Sequence, residues 1–507
     1  MKKTVLLING IFLFVILGTV FRLENFGILK HYLREVENVD ASFIEQIKAS
    51  RSIQQRDAVK LTYDGHALPY LDEKSNTVLF SKQLIDHITI DANTDVTVVK
   101  SFFDADQYIE IVAYTDSVYQ TQTIQLTSLA VMDITCVSSD YDSDKYTSAT
   151  VVLFDTENQK VIDSYAEIKI RGQSSRAYEK KSYTIKVLED FSSRYSAKQP
   201  LNLRANSKYA LDSIYEDDSK IRDMLSLELW KKYGAQSNPY GIDNSLSRAY
   251  VEVFINGEYR GLYGLQEVVD ETNLSVDPFE QAAIFKINTH SDFTSFYPNA
   301  VLSELGNGDI EAVYSNLSGQ KWNNLLSLFN SLESGEFQDV LDNYIYTNNY
   351  IDYNILLQFA CAWDNTWKNL VLTQRNRGNS SMFLITPWDF DITFGARWDA
   401  YAERNVLLDS SITTQSELNL FNIQEMNNGD MQKKIGKRWF VLRQDVFQED
   451  KLLNLANGYY DLITDSGARK RDAERWPNSA ISQDNSFIEQ FIKERLSHLD
   501  DFYRNYL

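Results

Sequence analysis

Two cysteines in 507 residues, Cys136 and Cys361, are too few and too far apart for a disulfide framework, and no metal-ligand spacing surrounds them. They read as two separate buried thiols, with a single long-range disulfide as the alternative. Positive charge is also short. Fifty Lys and Arg face 71 Asp and Glu, a net charge of −21, and no basic stripe runs along the chain. A nucleic-acid partner, whose phosphates need such a stripe, is therefore not expected. Internal repeats and low-complexity segments are lacking, so a solenoid or a disordered tail is not expected either. Near the start, Lys2 and Lys3 precede an uncharged, mostly apolar run from Thr4 to Phe21 that Arg22 closes, yet no A-x-A-like cleavage site follows. Residues 1–24 thus read as an uncleaved membrane anchor, with a cleaved signal peptide as the alternative; either places the remainder outside the cytoplasm.

What is present suits a folded protein with a large core and more than one domain: 43% hydrophobic and 13% aromatic residues. Residues 25–57 are charged and loosely amphipathic, and predict a helical stalk. In residues 58–128 the stretches VKLTY, HITID, DVTVVK and YIEIVAY alternate between apolar and polar, and predict a small β-rich accessory domain. Residues 129–271 read as strands with one helix, including a hairpin turning at Asn256-Gly257. Residues 272–507 read as mainly helical, with a late hairpin ending in PWDFD.

Three stretches carry charge in places that chemistry would explain. In PWDFDITFG, Asp389 and Asp391 stand two apart in an apolar bed. A strand continuing through them would aim both at one face, where a hard divalent cation relieves their repulsion. Upstream, WDNTWKN sets Asp364 five residues before Asn369, between a long apolar helix and that hairpin. An aspartate that accepts a hydroxyl proton, an asparagine that holds a metal, and a further metal-binding aspartate after a hairpin are the order of a phosphotransferase. The third stretch, RGQSSRAYEKKSYTIKV, is strand, small-residue loop, strand. Gly172, Ser174 and Ser175 would let backbone amides approach an anion, with Arg171 and Arg176 flanking it. Lys180 and Lys181 open the next strand where a phosphate-pairing lysine would sit, and alternation favours Lys181 as the inward one. Glu228 is a candidate to brace that lysine, with an ordinary exposed glutamate as the alternative, and the backbone at Glu267–Val269 would meet an adenine.

Together, RGQSSRAYEKKSYTIKV, DDSKIRDML, VEVFINGEYRGLYGLQE, WDNTWKN and PWDFDITFG resemble the spore-coat-protein-H (CotH) kinase-like family over about residues 130–440. The resemblance implies an α+β, bilobal protein-kinase-like fold, with a strand-rich N-lobe and a mainly helical C-lobe behind the β-rich domain and the membrane helix. It also implies ATP- and Mg²⁺- (or Mn²⁺-) dependent phosphorylation of a protein substrate outside the cytoplasm. By motif, Asp364 would be the catalytic aspartate, with Lys180 or Lys181 as its lysine partner. Asn369 and Asp389 would be metal ligands, with Asp391 beside them in a less defined role, and Arg171–Ser175 the phosphate-covering loop. The chain departs from the family in carrying Glu179 where a proline commonly precedes the lysines. Two other classes compete: an inactive cell-surface scaffold that keeps the fold, and a surface glycosidase, which would need two carboxylates about 5–9 Å apart across a groove.

Overall fold

The computed structural model describes residues 28–507, apart from 55–58, 94, 106, 139–144, 173, 193, 236, 289–309, 318–321, 363, 367, 378–379 and 397–427. Two compact units emerge. The first holds the described residues up to Thr135 with Thr150–Asp163 and Glu252–Arg260; the second holds Cys136–Ala149, Ser164–Val251 and Gly261–Leu507.

In the first unit the alternating stretches are strands. Val59–Tyr63 and Ile28–Tyr32 flank Ile88–Asn93 in a four-stranded sheet, while Tyr108–Tyr114 lies antiparallel between Thr97–Phe103 and Val118–Thr127 in a seven-stranded one. Their inward side chains, among them Leu61, Ile90, Ile109 and Ile124, share one core with Tyr63, Phe80 and Phe154. Those three rings meet at centroid distances of 5.0–6.1 Å. Asn256 (φ 52°) and Gly257 (φ 77°) both take the left-handed conformation that a two-residue hairpin demands.

The strands that position the site form a closed barrel. They are β1 (Ala130–Cys136), β2 (Thr147–Asp155), β3 (Lys160–Arg171), β4 (Ser182–Leu188), β5 (Lys208–Asp212), β6 (Arg248–Ile255) and β7 (Glu258–Glu267), in the order β1-β2-β3-β4-β5-β7-β6. Between β5 and β6 stands the helix α1 (Arg222–Tyr233), buried along most of its length. A second sheet follows, of β8 (Ala282–Ile287), β9 (Ile310–Ser315), β10 (Leu370–Arg377) and β11 (Ser380–Pro387), in the order β9-β8-β10-β11. Helices α2 (Asn323–Glu333) and α3 (Thr347–Ala360) precede β10. The chain closes with α4 (Gly429–Arg443), α5 (Glu449–Asp465), α6 (Ala468–Arg475) and α7 (Ser486–Arg504). Helix α3 is buried from Asn349 to Ala360, its polar Asn349, Asp352, Asn354 and Gln358 included.

This architecture corrects the expected bilobal protein-kinase-like fold. The described chain is mostly β, with a closed seven-stranded barrel, and it does not split into a strand-rich lobe followed by a mainly helical one. AAIFKI and IEAVYS are short runs that periodicity does not separate from helix. They pair with each other and with the late hairpin, so the region after Thr272 carries its own four-stranded sheet. At the other end, residues 28–53 hold short strands and one ten-residue helix, Ala41–Ser50, which packs Ile44 and Ile47 against Val99 and Val112. The expected membrane helix at residues 1–24 lies outside the described residues. Among those described, no helix is long and apolar enough to cross a membrane, and the single-pass location is withdrawn on that finding. Both cysteines are buried thiols and form no disulfide.

Candidate active site

One end of the barrel supplies the first wall of the site. Antiparallel register sets Arg171, the last residue of β3, opposite Ser182. The Ser182 hydroxyl donates to Asp212 Oδ1 (3.2 Å), at the end of β5. Arg248 opens β6, and its side chain lies across Gly264, where an added Cβ would come within 2.8 Å of Cδ. Its guanidinium pairs with Asp212 (2.8 Å) and with Asp223 in the first turn of α1. Just beyond Arg171, Gly172 has φ +102°, and a Cβ there would fall 1.9 Å from Ser175 Oγ. Only glycine can make that turn.

The second wall comes from the two motifs late in the chain. Helix α3 stops at Cys361, whose φ of 49° breaks the helical run, and a short 3₁₀ turn, Asp364–Thr366, follows. The Asn369 amide donates to Asp364 Oδ2 (2.9 Å), and the Lys368 ammonium pairs with the same oxygen (2.8 Å). Asn365 ties this turn to the next motif by donating its amide to the carbonyls of Asn369 (3.1 Å) and Trp388 (2.8 Å). Strand β11 ends at Pro387 and Asp389 is left-handed (φ 62°), so no strand runs through PWDFD and alternation does not orient its acids. A turn does so instead, and α1 clamps it. Asp223 Oδ1 accepts from the Phe390 amide (2.7 Å), and Arg222 Nε donates to the Thr393 carbonyl (2.9 Å).

Between these walls lies a cavity of about 380 Å³ lined by Arg171, Gly172, Ser175, Asp212, Asp223, Arg248, Lys286, Lys368, Asn369, Trp388, Asp389 and Asp391, among others. The Arg248 and Asp223 side chains are buried, Arg171, Asp212, Lys286, Lys368, Asp389 and Asp391 are half-buried, and their compensation is uneven. Burial, then Asp223 and Asp212, pushes Asp389 up to about 6, with Asp364 adding to the rise. Burial and the neighbouring Asp389 carboxylate hold Asp391 well above the usual carboxylate range. Asp212 goes the other way: burial opposes its ionisation, but Arg248 and Arg171 more than offset it. Burial also draws Lys286, on β8, down to about 8, with Arg171 reinforcing the shift.

Arg171, Gly172, Ser175, Asn369, Asp389 and Asp391 thus share one cavity, and Asp364 is held by Lys368 and Asn369, two residues that line it. The remaining expected residues lie elsewhere. Lys180 is sealed in the interior, where it donates to Asp472 Oδ1 (2.6 Å) and the Leu262 carbonyl (2.5 Å). Lys181, expected to point inward, instead donates to the carbonyls of Arg176 and Tyr178 (2.7 and 2.6 Å). Strand β4 begins only at Ser182, so strand alternation does not reach either lysine. Glu267 accepts from the Arg204 and Ser247 amides (2.6 and 2.9 Å) and from the Arg204 guanidinium, and its own backbone belongs to the barrel ladder. Arg176 folds back onto the Gly172 carbonyl (2.7 Å), and Ser174 stands in the turn Ser174–Ala177. Glu228 pairs with Lys232 on its own helix, and Glu179 accepts from Asn478 (3.0 Å). Sequence reasoning missed Asp212, Asp223, Arg248 and Lys286. The only signal was a lone charge at a strand end, in a helix's first turn, or within an apolar run.

The donor set suits a hard cation. Two half-buried carboxylates held above the usual carboxylate range, Asp389 and Asp391, stand beside Asn369, whose amide nitrogen is already committed to Asp364. Among the described residues no three Asp, Glu, His or Cys side chains form a ready-made cage. Mg²⁺ takes one or two carboxylates and completes its shell with water and phosphate. A family model for CotH kinase protein matches residues 168–499, a span that includes every side chain of the cavity. Inner spore coat protein H of Bacillus subtilis (strain 168) is 23% identical over 353 residues, or 68% of this chain and 88% of that relative.

Proposed function

The chain belongs to the CotH kinase protein family, and from that premise we propose that it transfers the γ-phosphoryl group of ATP to Ser or Thr hydroxyls of a protein, with Mg²⁺ or Mn²⁺ bound at Asp389, Asp391 and Asn369. The observation that carries this reading is the meeting of WDNTWKN, PWDFD and the Arg171-Gly172 turn at one cavity, although they are remote in sequence. Asp364 Oδ2 is occupied by Lys368 and Asn369, which leaves Oδ1 to accept the proton of an attacking hydroxyl. Lys368, in turn, places a positive charge where negative charge develops on the transferred group. Asp389, Asp391 and Asn369 would hold the metal, which would supply positive charge to offset that of the phosphates. The Gly172 turn, with no side chain of its own, allows phosphate oxygens close to backbone. The relative is named as an inner spore coat protein, and the acceptor proposed for this chain is a protein of a coat or cell surface.

The test is transfer of label from γ-labelled ATP to a generic protein acceptor with Mg²⁺ or Mn²⁺, beside Asp364→Ala and Asp389→Ala. Transfer by the wild type that disappears in both variants supports the proposal. No transfer, together with no metal-dependent nucleotide binding by the wild type, rejects it.

A further inference from the structure

The cavity contains two cations that its carboxylates do not neutralise by contact. Arg171 and Lys286 arrive from different sheets and face one ring: the guanidinium carbon lies 5.3 Å and the ammonium nitrogen 4.4 Å from the centroid of Trp388. Among the described residues neither side chain makes a hydrogen bond or an ion pair within 4 Å. Arg171 is thereby unlike Arg248, which grips Asp212 and Asp223.

Strand geometry explains how a lysine comes to be there. Ala282, Ile284 and Lys286 share one face of β8, and the first two are buried in a core cluster with Val371 and Trp388. Register sets Lys286 opposite Val371 on β10, and Val371 opposite Thr386 on β11, two residues before Trp388. Lys286 therefore ends an apolar row, half-buried, with its ammonium delivered onto the indole face. Cation–π contact supports each charge, but two like charges over one buried ring repel, and Arg171 disfavours the ionisation of Lys286. An anion seated beside both would relieve that repulsion.

We propose that Arg171 and Lys286, held over Trp388, form an anion clamp for the polyphosphate of the donor nucleotide, and that Lys286 fills the phosphate-pairing role expected of Lys180 or Lys181. This rests on the phosphotransferase reading and adds to it a residue from outside the family's motifs quoted above. Arg171 contributes a planar, permanently charged fork and Lys286 a compact ammonium, a pairing suited to adjacent phosphate oxygens.

The experiment is calorimetric titration of the full chain with tripolyphosphate and with ATP, both without divalent cations, so that the metal ligands take no part. Lys286→Gln and Arg171→Gln should each weaken both ligands roughly tenfold or more, the loss of one charge-assisted contact. Lys286→Arg should recover most of the affinity and Lys181→Gln should match the wild type. Unchanged binding by a folded Lys286→Gln, with ATP bound normally, overturns the clamp and leaves the phosphotransferase reading standing. If the wild type binds tripolyphosphate through Lys286 but does not bind ATP, the clamp stands and the nucleotide reading falls. Should Lys286→Gln fail to fold, Arg171→Gln alone decides: full affinity there removes the clamp.

Discussion

Lys180→Met separates a structural lysine from a catalytic one. The Lys180–Asp472 pair has 0% and 2% of its side chains exposed, and Lys180 also donates to the Leu262 carbonyl. Asp472 Oδ1 accepts as well from the Leu262 amide (3.0 Å), and the contact is so close that a Cβ on Gly261 would reach within 2.2 Å of that oxygen. Methionine fills the lysine stem's volume but strands a buried carboxylate, which costs about 3–5 kcal/mol. With an unfolding entropy near 2.1 cal/mol/K per residue over the roughly 350 residues of the second unit, that cost lowers its melting midpoint by about 4–7 °C. Lys180→Met combined with Asp472→Asn, neutral at both positions, should recover much of the loss. Differential scanning calorimetry provides the midpoint and titration with ATP the affinity. A Lys180→Met protein that melts within about a degree of the wild type yet fails to bind ATP would refute the reasoning, because the lysine would then be serving the cavity.

Three further outcomes follow from the same geometry. Asp389 has its carboxyl raised from 3.8 to about 6, so its contribution to stability is fully present below pH 3.8 and lost as the pH rises through about 6; Mg²⁺ or Mn²⁺ should therefore raise the melting midpoint more at pH 7.5 than at pH 5, and an equal effect would argue against a cation at this carboxylate. Gly172→Ala demands a left-handed alanine and a displaced Ser175, so it should lower stability by about 1 kcal/mol or more and weaken ATP binding; adding Ser175→Ala should relieve only the steric part, as paired melting curves would show. Arg222→Met leaves Asp217 and Asp218 without their shared guanidinium and frees the Thr393 carbonyl; a loss of about 3–5 kcal/mol in urea unfolding is expected, with phosphoryl transfer reduced because the Trp388–Gly395 turn loses its clamp.

The parts of the site that were legible in the sequence were contiguous ones. Asp364 with Asn369, Asp389 with Asp391, and the Arg171-Gly172 turn each announce themselves within a few residues, because the local backbone alone sets their spacing. Asp212, Asp223, Arg248 and Lys286 were illegible for the opposite reason. Each is a single charge whose meaning depends on which strand ends meet, and barrel closure decides that: β5 pairs with β7, not with its neighbour in sequence β6. Lys181 shows a different failure, since extrapolating alternation one residue beyond the start of β4 reversed the inner and outer sides. In the fold, AAIFKI and IEAVYS were too short to declare themselves. The reading of a helical second half therefore failed where two brief strands meet a hairpin more than eighty positions from the first of them.

The tie between Lys180 and Asp472 spans 292 positions, and that between Lys220 and Ser479 spans 259. During synthesis at about 5–20 residues per second, Lys180 leaves the ribosome roughly 15–60 s before its counter-charge exists. For that interval Lys180 lacks the carboxylate that pairs with it in the folded chain. The late helix α6 thus completes a contact that the early strands cannot make by themselves.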